Sequence, residues 1–220
     1  PNDAIARGLE MLAEGVDIID VGGESTRPGA QRISEDEELN RVLPVISELI
    51  KAGAKVSVDT MRASVAEKSG AHIINDVSGG KADPQMFATV AKLGKPYILM
   101  HWRGHSTEMD NKAIYDDVVA EVISELETQI KLALEAGIKR NNLIIDPGLG
   151  FAKNIEQNWQ IVDRIDEFKK LGFPILVGGS RKRFLEGSEE KSIELTTYLA
   201  KKDIWAVRTH SVAPHKGAMR

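Results

Sequence analysis

The chain has 220 residues, a formal charge of −4 and no cysteine. Its length suits one α/β domain, since barrels run to about 250 residues as a single unit. The absence of cysteine excludes disulfides and thiolate metal sites, and the acidic balance excludes a general nucleic-acid face; no apolar stretch approaches the ~18 residues of a membrane span. A local basic cluster on an acidic chain still leaves room for a small anionic substrate. No signal sequence precedes the first element, so a cytoplasmic protein is the expectation. The chain opens at Pro1 without a methionine, which places its natural N-terminus upstream.

Ile5, Leu9 and Leu12 recur at helical spacing, and residues 2–14 read as an amphipathic helix behind an Asn2/Asp3 cap. A strand over Val16 to Val21 runs into Gly22-Gly23-Glu24-Ser25-Thr26-Arg27-Pro28-Gly29, a long loop of turn formers. Residues 24–32 have little apolar area to bury, so this loop is expected to open at low cost and to close over a substrate. Ser34-Glu35-Asp36-Glu37 has the form of a capping box and opens a helix through about Ala52, with Leu39, Val42, Leu43, Ile46 and Leu49 inward and a bend at Pro44. A strand at 55–58, a helix near 62–69 and a strand at 72–77 follow. That middle helix is short for a parallel crossover, and residues are expected to be missing between Ala63 and Gly70.

Next come a helix over 84–93, a strand from Pro96 to Met100, the loop His101-Trp102-Arg103-Gly104-His105 and a long charged helix over 113–136. Leu143-Ile144-Ile145 forms a short buried strand ending on Asp146-Pro147-Gly148-Leu149-Gly150-Phe151. A helix over 156–171, a strand over 174–177, a helix over 192–200, a strand over 204–209 and a final helix opened by Val212-Ala213-Pro214 complete the chain. Seven strands alternating with helices predict a parallel sheet with right-handed crossovers. The fold class expected is α/β, a (β/α)8 TIM barrel whose first strand lies outside the given chain, in a single N-terminally incomplete domain spanning residues 1–220. A doubly wound open sheet is the alternative, disfavoured because Gly22-Gly23-Glu24-Ser25 lacks the third glycine of a dinucleotide fingerprint.

Polar groups end several of these strands: Asp59, Asn75, Asp146, the run Gly178-Gly179-Ser180-Arg181-Lys182, and Arg208 with His210. Barrels place their sites at that end. A carboxylate can take two adjacent N–H donors of a heterocycle, and Asn75 can donate and accept at once. Lys182 and Arg208 add positive charge, and alternation puts Arg208 and His210 on one strand face, where they can hold an anion beside the final helix. Singly, each residue reads as a cap or structural ion pair; jointly, at five strand ends, they read as a site.

Glu24-Ser25-Thr26-Arg27-Pro28-Gly29, Ser57-Val58-Asp59-Thr60, Ile74-Asn75-Asp76-Val77-Ser78-Gly79-Gly80, Met100-His101, Asp146 to Phe151, Gly178 to Lys182 and Arg208-Thr209-His210 occur in one order over nearly the whole chain. This ordered set resembles the dihydropteroate synthases of folate biosynthesis, a pterin-binding TIM-barrel family. The resemblance implies a transferase that joins 4-aminobenzoate to 6-hydroxymethyl-7,8-dihydropterin pyrophosphate and releases pyrophosphate. It implies pterin binding by Asp59, Asn75, Met100, Asp146, Gly178 and Lys182, with Lys182, Asp59 and Arg208 catalytic. It implies aminobenzoate binding by Thr26, Arg27, Phe151 and Ser180, and pyrophosphate binding by Arg208 and His210. Mg2+ is the implied cofactor, its asparagine ligand upstream of Pro1, and a homodimer is the implied assembly. The helix after Thr60 and the segment from Leu185 to Lys191 are shorter than the family's pattern.

Two other readings stand beside this one. A pterin-binding barrel that moves a methyl group from methyltetrahydrofolate to a corrinoid shares the Asp/Asn set, but needs neither a lysine after Gly-Gly-Ser nor an Arg-x-His pair. A non-catalytic pterin-binding paralogue finds support only in the N-terminal loop absent from the chain.

Overall fold

The structure, a computed structural model, describes residues 1–25, 31–105 and 109–219, side chains 109 and 110 excepted. In chain order it contains α1 (Asn2–Ala13), β1 (Ile19–Gly22), α2 (Glu35–Lys51), β2 (Val56–Asp59), α3 (Ala63–Lys68), β3 (Ile73–Asp76), α4 (Met86–Leu93) and β4 (Tyr97–Met100). Then follow α5 (Val118–Glu135), β5 (Leu143–Asp146), α6 (Ile155–Asp163), β6 (Leu176–Val177), α7 (Glu189–Lys201), β7 (Ala206–Val207) and α8 (Val212–Ala218). Strands β1 to β5 pair in chain order and in parallel, β6 pairs with β7, and a parallel bridge from Ile145 to Ile175 joins the two groups. The two ends of this series curve round to meet. Arg208, just past β7, bonds Asp20 on β1, and Lys216 on α8 bonds the carbonyl of Gly15 ahead of β1. The architecture is a TIM-type β/α barrel, with seven of its strands among the described residues.

Strand alternation sorts the side chains into two sets. Val56, Val58, Ile74, Leu99, Ile145 and Val177 pack outward against the helices, meeting Val42, Ile46 and Leu49 of α2. Ile73, Ile98, Ile144 and Leu176 point the other way and plug the barrel interior, with Ile18 and Ala206 against them. Further along most of these strands the interior positions are polar: Ser57 and Asp59, Asn75, Asp146 and Arg208. An apolar layer below and a polar layer above is what makes the upper mouth a site.

Several boundaries differ from the sequence expectations, each for a local reason. Helix α1 has Pro1 at its N-cap, and no side chain caps it. Ser34 caps α2 by accepting the N–H of Glu37 at 3.2 Å, but Glu37 turns its own carboxylate to Arg41. Helix α2 is continuous through Pro44. Helix α5 begins at Val118 rather than 113, because Asp117 accepts the N–H groups of Val119 and Ala120 at 2.9 and 3.1 Å. The helix expected over 156–171 stops at Asp163, and a 3-10 turn, Ile165–Leu171, continues to left-handed Gly172. Helix α7 starts earlier, at Glu189, because Ser188 caps it. The crossover from β2 to β3 runs through the six residues of α3, and Asp59 pairs in register with Asn75. Among the described residues, no helix is long and apolar enough to cross a membrane.

Candidate active site

The polar layer is wired around one guanidinium. Arg208 Nη1 donates to Asp59 Oδ2 at 3.0 Å and to Asp20 Oδ2 at 3.2 Å. Asn75 Nδ2 donates to the same Asp20 oxygen at 3.0 Å, and Ser57 Oγ donates to Asp20 Oδ1 at 2.6 Å. Three strands and the segment after β7 thus converge on a cation between two carboxylates. Asp20 was not among the residues singled out from sequence. Its signal was there: an acid between buried Ile19 and Val21, at the interior position of its strand, requires a buried partner.

Burial first, and then the Asp20 carboxylate, push Asp59 up to about 7 against the opposing pull of Arg208. Arg208 stays firmly protonated, because Asp59, Asp20 and Asp146 together outweigh its burial. Burial and the neighbouring Arg208 push Lys182 down to about 7. An acid and a base of the same mouth therefore both titrate near neutrality, which is how environment prepares groups for catalysis.

A cavity of about 1670 Å³ borders this layer and continues past Ile18, Ile98, Leu176 and Ala206. Asp20, Ser57, Asp59 and Asn75 line one side, and Gly178, Ser180, Lys182, Arg208 and His210 line the other, with Phe151 at the rim. Lys182 Nζ lies 4.8 Å from the centroid of the Phe151 ring and bonds the carbonyl of Leu149. Asp146 and Met100 sit deeper. Both are almost inaccessible, neither lines the cavity, and Met100 packs with Met61, Val77 and Phe151. Burial raises Asp146 above its ordinary value, while Lys182 and Arg208 pull it back down.

Arg208 and His210 both border the cavity, just beyond the end of the strand at Val207. Arg208 turns inward to the carboxylates, and His210 Nδ1 lies 3.2 Å from Ser180 Oγ. Asp76, next to Asn75, faces away from the mouth and is structural: it accepts bonds from Tyr97 Oη at 2.7 Å, Ser78 Oγ at 2.7 Å and the Gly80 N–H at 2.8 Å. Thr26 and Arg27 lie outside the described residues. The loop's two ends are pinned by Glu24, which bonds Arg32 at 3.0 Å and Arg62 at 2.8 Å.

The loop after β5 is held by its backbone. Gly148 has φ +72°, donates to Asp146 Oδ1 at 2.7 Å, and passes so close to His101 that a Cβ would lie 2.5 Å from that residue's carbonyl oxygen. Gly148→Ala is therefore expected to destabilise the protein by roughly 1–3 kcal/mol, read as a fall in melting temperature. An unchanged melt would mean that the loop yields freely.

Among the described residues, no group of three or more His, Cys, Asp or Glu side chains converges as a metal site. The position between Asp20 and Asp59, where a cation is wanted, is taken by Arg208. Those two carboxylates are therefore engaged by the guanidinium.

Residues 1–217 match the pterin binding enzyme family. The dihydropteroate synthase of Mycobacterium leprae is 45% identical over 238 residues, spanning all of this chain and 84% of that protein. The dihydropteroate synthase of Thermus thermophilus, solved in complex with 4-aminobenzoate, superposes with a TM-score of 0.90 at 40% identity, covering 100% of this chain and 88% of that one. That of Anaplasma phagocytophilum, solved with bound 6-hydroxymethylpterin-monophosphate, gives 0.93 at 35% identity, covering 99% and 92%. With a barrel whose interior acids, asparagine and arginine meet at one mouth, and with this likeness along its whole length, the chain belongs to the pterin binding enzyme family, among the dihydropteroate synthases.

Proposed function

We propose that this site condenses 6-hydroxymethyl-7,8-dihydropterin pyrophosphate with 4-aminobenzoate, giving 7,8-dihydropteroate and pyrophosphate. The observation that carries the reading is the convergence of Asp59, Asn75 and Arg208, with Asp20, on the interior face of one barrel mouth beside Lys182. The pterin edge offers adjacent N–H donors that suit Asp146, and mixed groups that suit Asn75. As the C–O bond breaks, its electron pair leaves with the pyrophosphate, and positive charge spreads into the pterin ring. Carboxylates near the ring and cations near the departing oxygen stabilise that separation. The arylamine nitrogen then forms the C–N bond and sheds a proton to solvent. No protein nucleophile is needed. Phe151 and Ser180 border the cavity where the aminobenzoate would lie, next to Lys182.

Mg2+, a homodimer and a cytoplasmic location belong to the same proposal and rest on the family resemblance. The test is incubation of the purified protein with magnesium, the pterin pyrophosphate and labelled 4-aminobenzoate. Labelled dihydropteroate with one equivalent of pyrophosphate is the expected outcome. No incorporation, with methyl transfer from methyltetrahydrofolate instead, would overturn it.

A further inference from the structure

Beside the loop that carries Asp146 and Phe151 lies a lysine that borders the cavity but turns its ammonium to the loop backbone. Lys153 is buried, and its Nζ has three partners: Gly148 O at 3.0 Å, Phe151 O at 2.9 Å and His101 Nδ1 at 2.9 Å. An ammonium has three protons, so each finds one acceptor. The third partner is itself fixed. His101 Nε2 lies 2.9 Å from Glu125 Oε2, and Glu125 is held in turn by Arg103 Nε at 3.0 Å. With His101 kept neutral by burial and by Lys153, its Nε2–H donates to Glu125 and its Nδ1 lone pair accepts from the lysine.

Two lysines therefore grip the same loop. Lys182 bonds the carbonyl of Leu149, and Lys153 bonds the carbonyls of Gly148 and Phe151. The segment needs such support. Gly148, Gly150 and Ala152 all have positive φ, the last at +47° without the freedom of a glycine. Left alone, a chain of that conformation would relax toward ordinary backbone angles.

We propose that Lys153 is a positioning residue that sets the Gly148–Phe151 backbone and so presents the Phe151 ring to the second substrate. This rests on the proposed function for the identity of that substrate. Its three bonds all go to the protein, so it acts through the loop. Its removal should move the Phe151 end of the loop most, since Asp20, Asp59, Asn75 and Arg208 do not bond it and Asp146 meets it only through the Gly148 backbone.

The test is steady-state kinetics on the wild type and on Lys153→Met, which keeps the length of the side chain and removes all three bonds. Wild-type turnover is measured first; its absence would count against the proposed function and not against this inference. The variant is expected to raise KM for 4-aminobenzoate at least tenfold, while the Kd for the pterin pyrophosphate stays within threefold. His101→Leu, which removes one of the three acceptors and keeps the two loop carbonyls, should move the same ratio less. It decides the matter if Lys153→Met does not fold. A lower melting temperature with an unchanged ratio of the two constants, or an equal loss for both substrates, would overturn the proposal.

Discussion

Arg208→Met is expected to abolish turnover and to weaken binding of the free pterin and of its pyrophosphate ester together. The sequence alone argues for a narrower effect, with Arg208 serving the anion and leaving the pterin pocket intact. The geometry replaces that expectation, because Nη1 bridges Asp59 and Asp20 at 3.0 and 3.2 Å. Without the guanidinium, two carboxylates face each other in a confined mouth, and breaking a buried pair in this way costs roughly 3–5 kcal/mol. Asp59 responds by keeping its proton. It already binds that proton more tightly in the folded protein than in the unfolded chain, with a value raised to about 7 by burial and Asp20, and Arg208 is what restrains the rise.

The sign follows from linkage. A carboxyl group with a raised folded value contributes stability at acid pH and loses it as pH climbs from the ordinary carboxylate range through about 7. Pterin binding that needs ionised Asp59 should therefore strengthen in the wild type as pH rises through 7. In Arg208→Met that limb should move upward. Arg208→Lys, which keeps the charge, should recover much of the stability. Calorimetry with the free pterin and with its pyrophosphate ester, repeated across pH, checks both points. Intact pterin affinity with loss of the pyrophosphate ester alone would restore the narrower role.

Asp146→Asn is expected to weaken pterin binding by about 10- to 150-fold, the equivalent of roughly 1.5–3 kcal/mol for charge-assisted bonds, with no fall in melting temperature. Two observations separate the effects. The fold uses Asp146 as an acceptor for the Gly148 N–H at 2.7 Å, and an asparagine oxygen can accept the same bond. Burial raises the carboxyl group above its ordinary value, so its charge is a burden on the folded state near neutral pH. Removing the charge should leave the melt unchanged or slightly higher. A large drop in melting temperature with unchanged pterin affinity would mean that Asp146 serves the fold and not the ligand.

The alternation of short apolar strands with amphipathic helices was legible in the chain itself, because burial leaves a period that can be read without coordinates. So was the list of chemically able residues at strand ends, since Asp59, Asn75, Asp146 and Arg208 each follow directly on an apolar run. Helix limits were less legible: Asp117 and Ser188 set the starts of α5 and α7 through side-chain hydrogen bonds that periodicity does not register. What only the tertiary structure decided is who meets whom. Asp20 and Arg208 lie at opposite ends of the chain, and curvature of the sheet brings them within a hydrogen bond. The same curvature makes Arg208 the shared counter-ion of two carboxylates. Alternation assigns Asn75, which donates to Asp20, to the mouth and its neighbour Asp76, which accepts from Tyr97, to the back of the sheet. Local sequence sets which face of a strand a side chain occupies, but the partner on that face comes from a distant segment, and only closure of the barrel selects it.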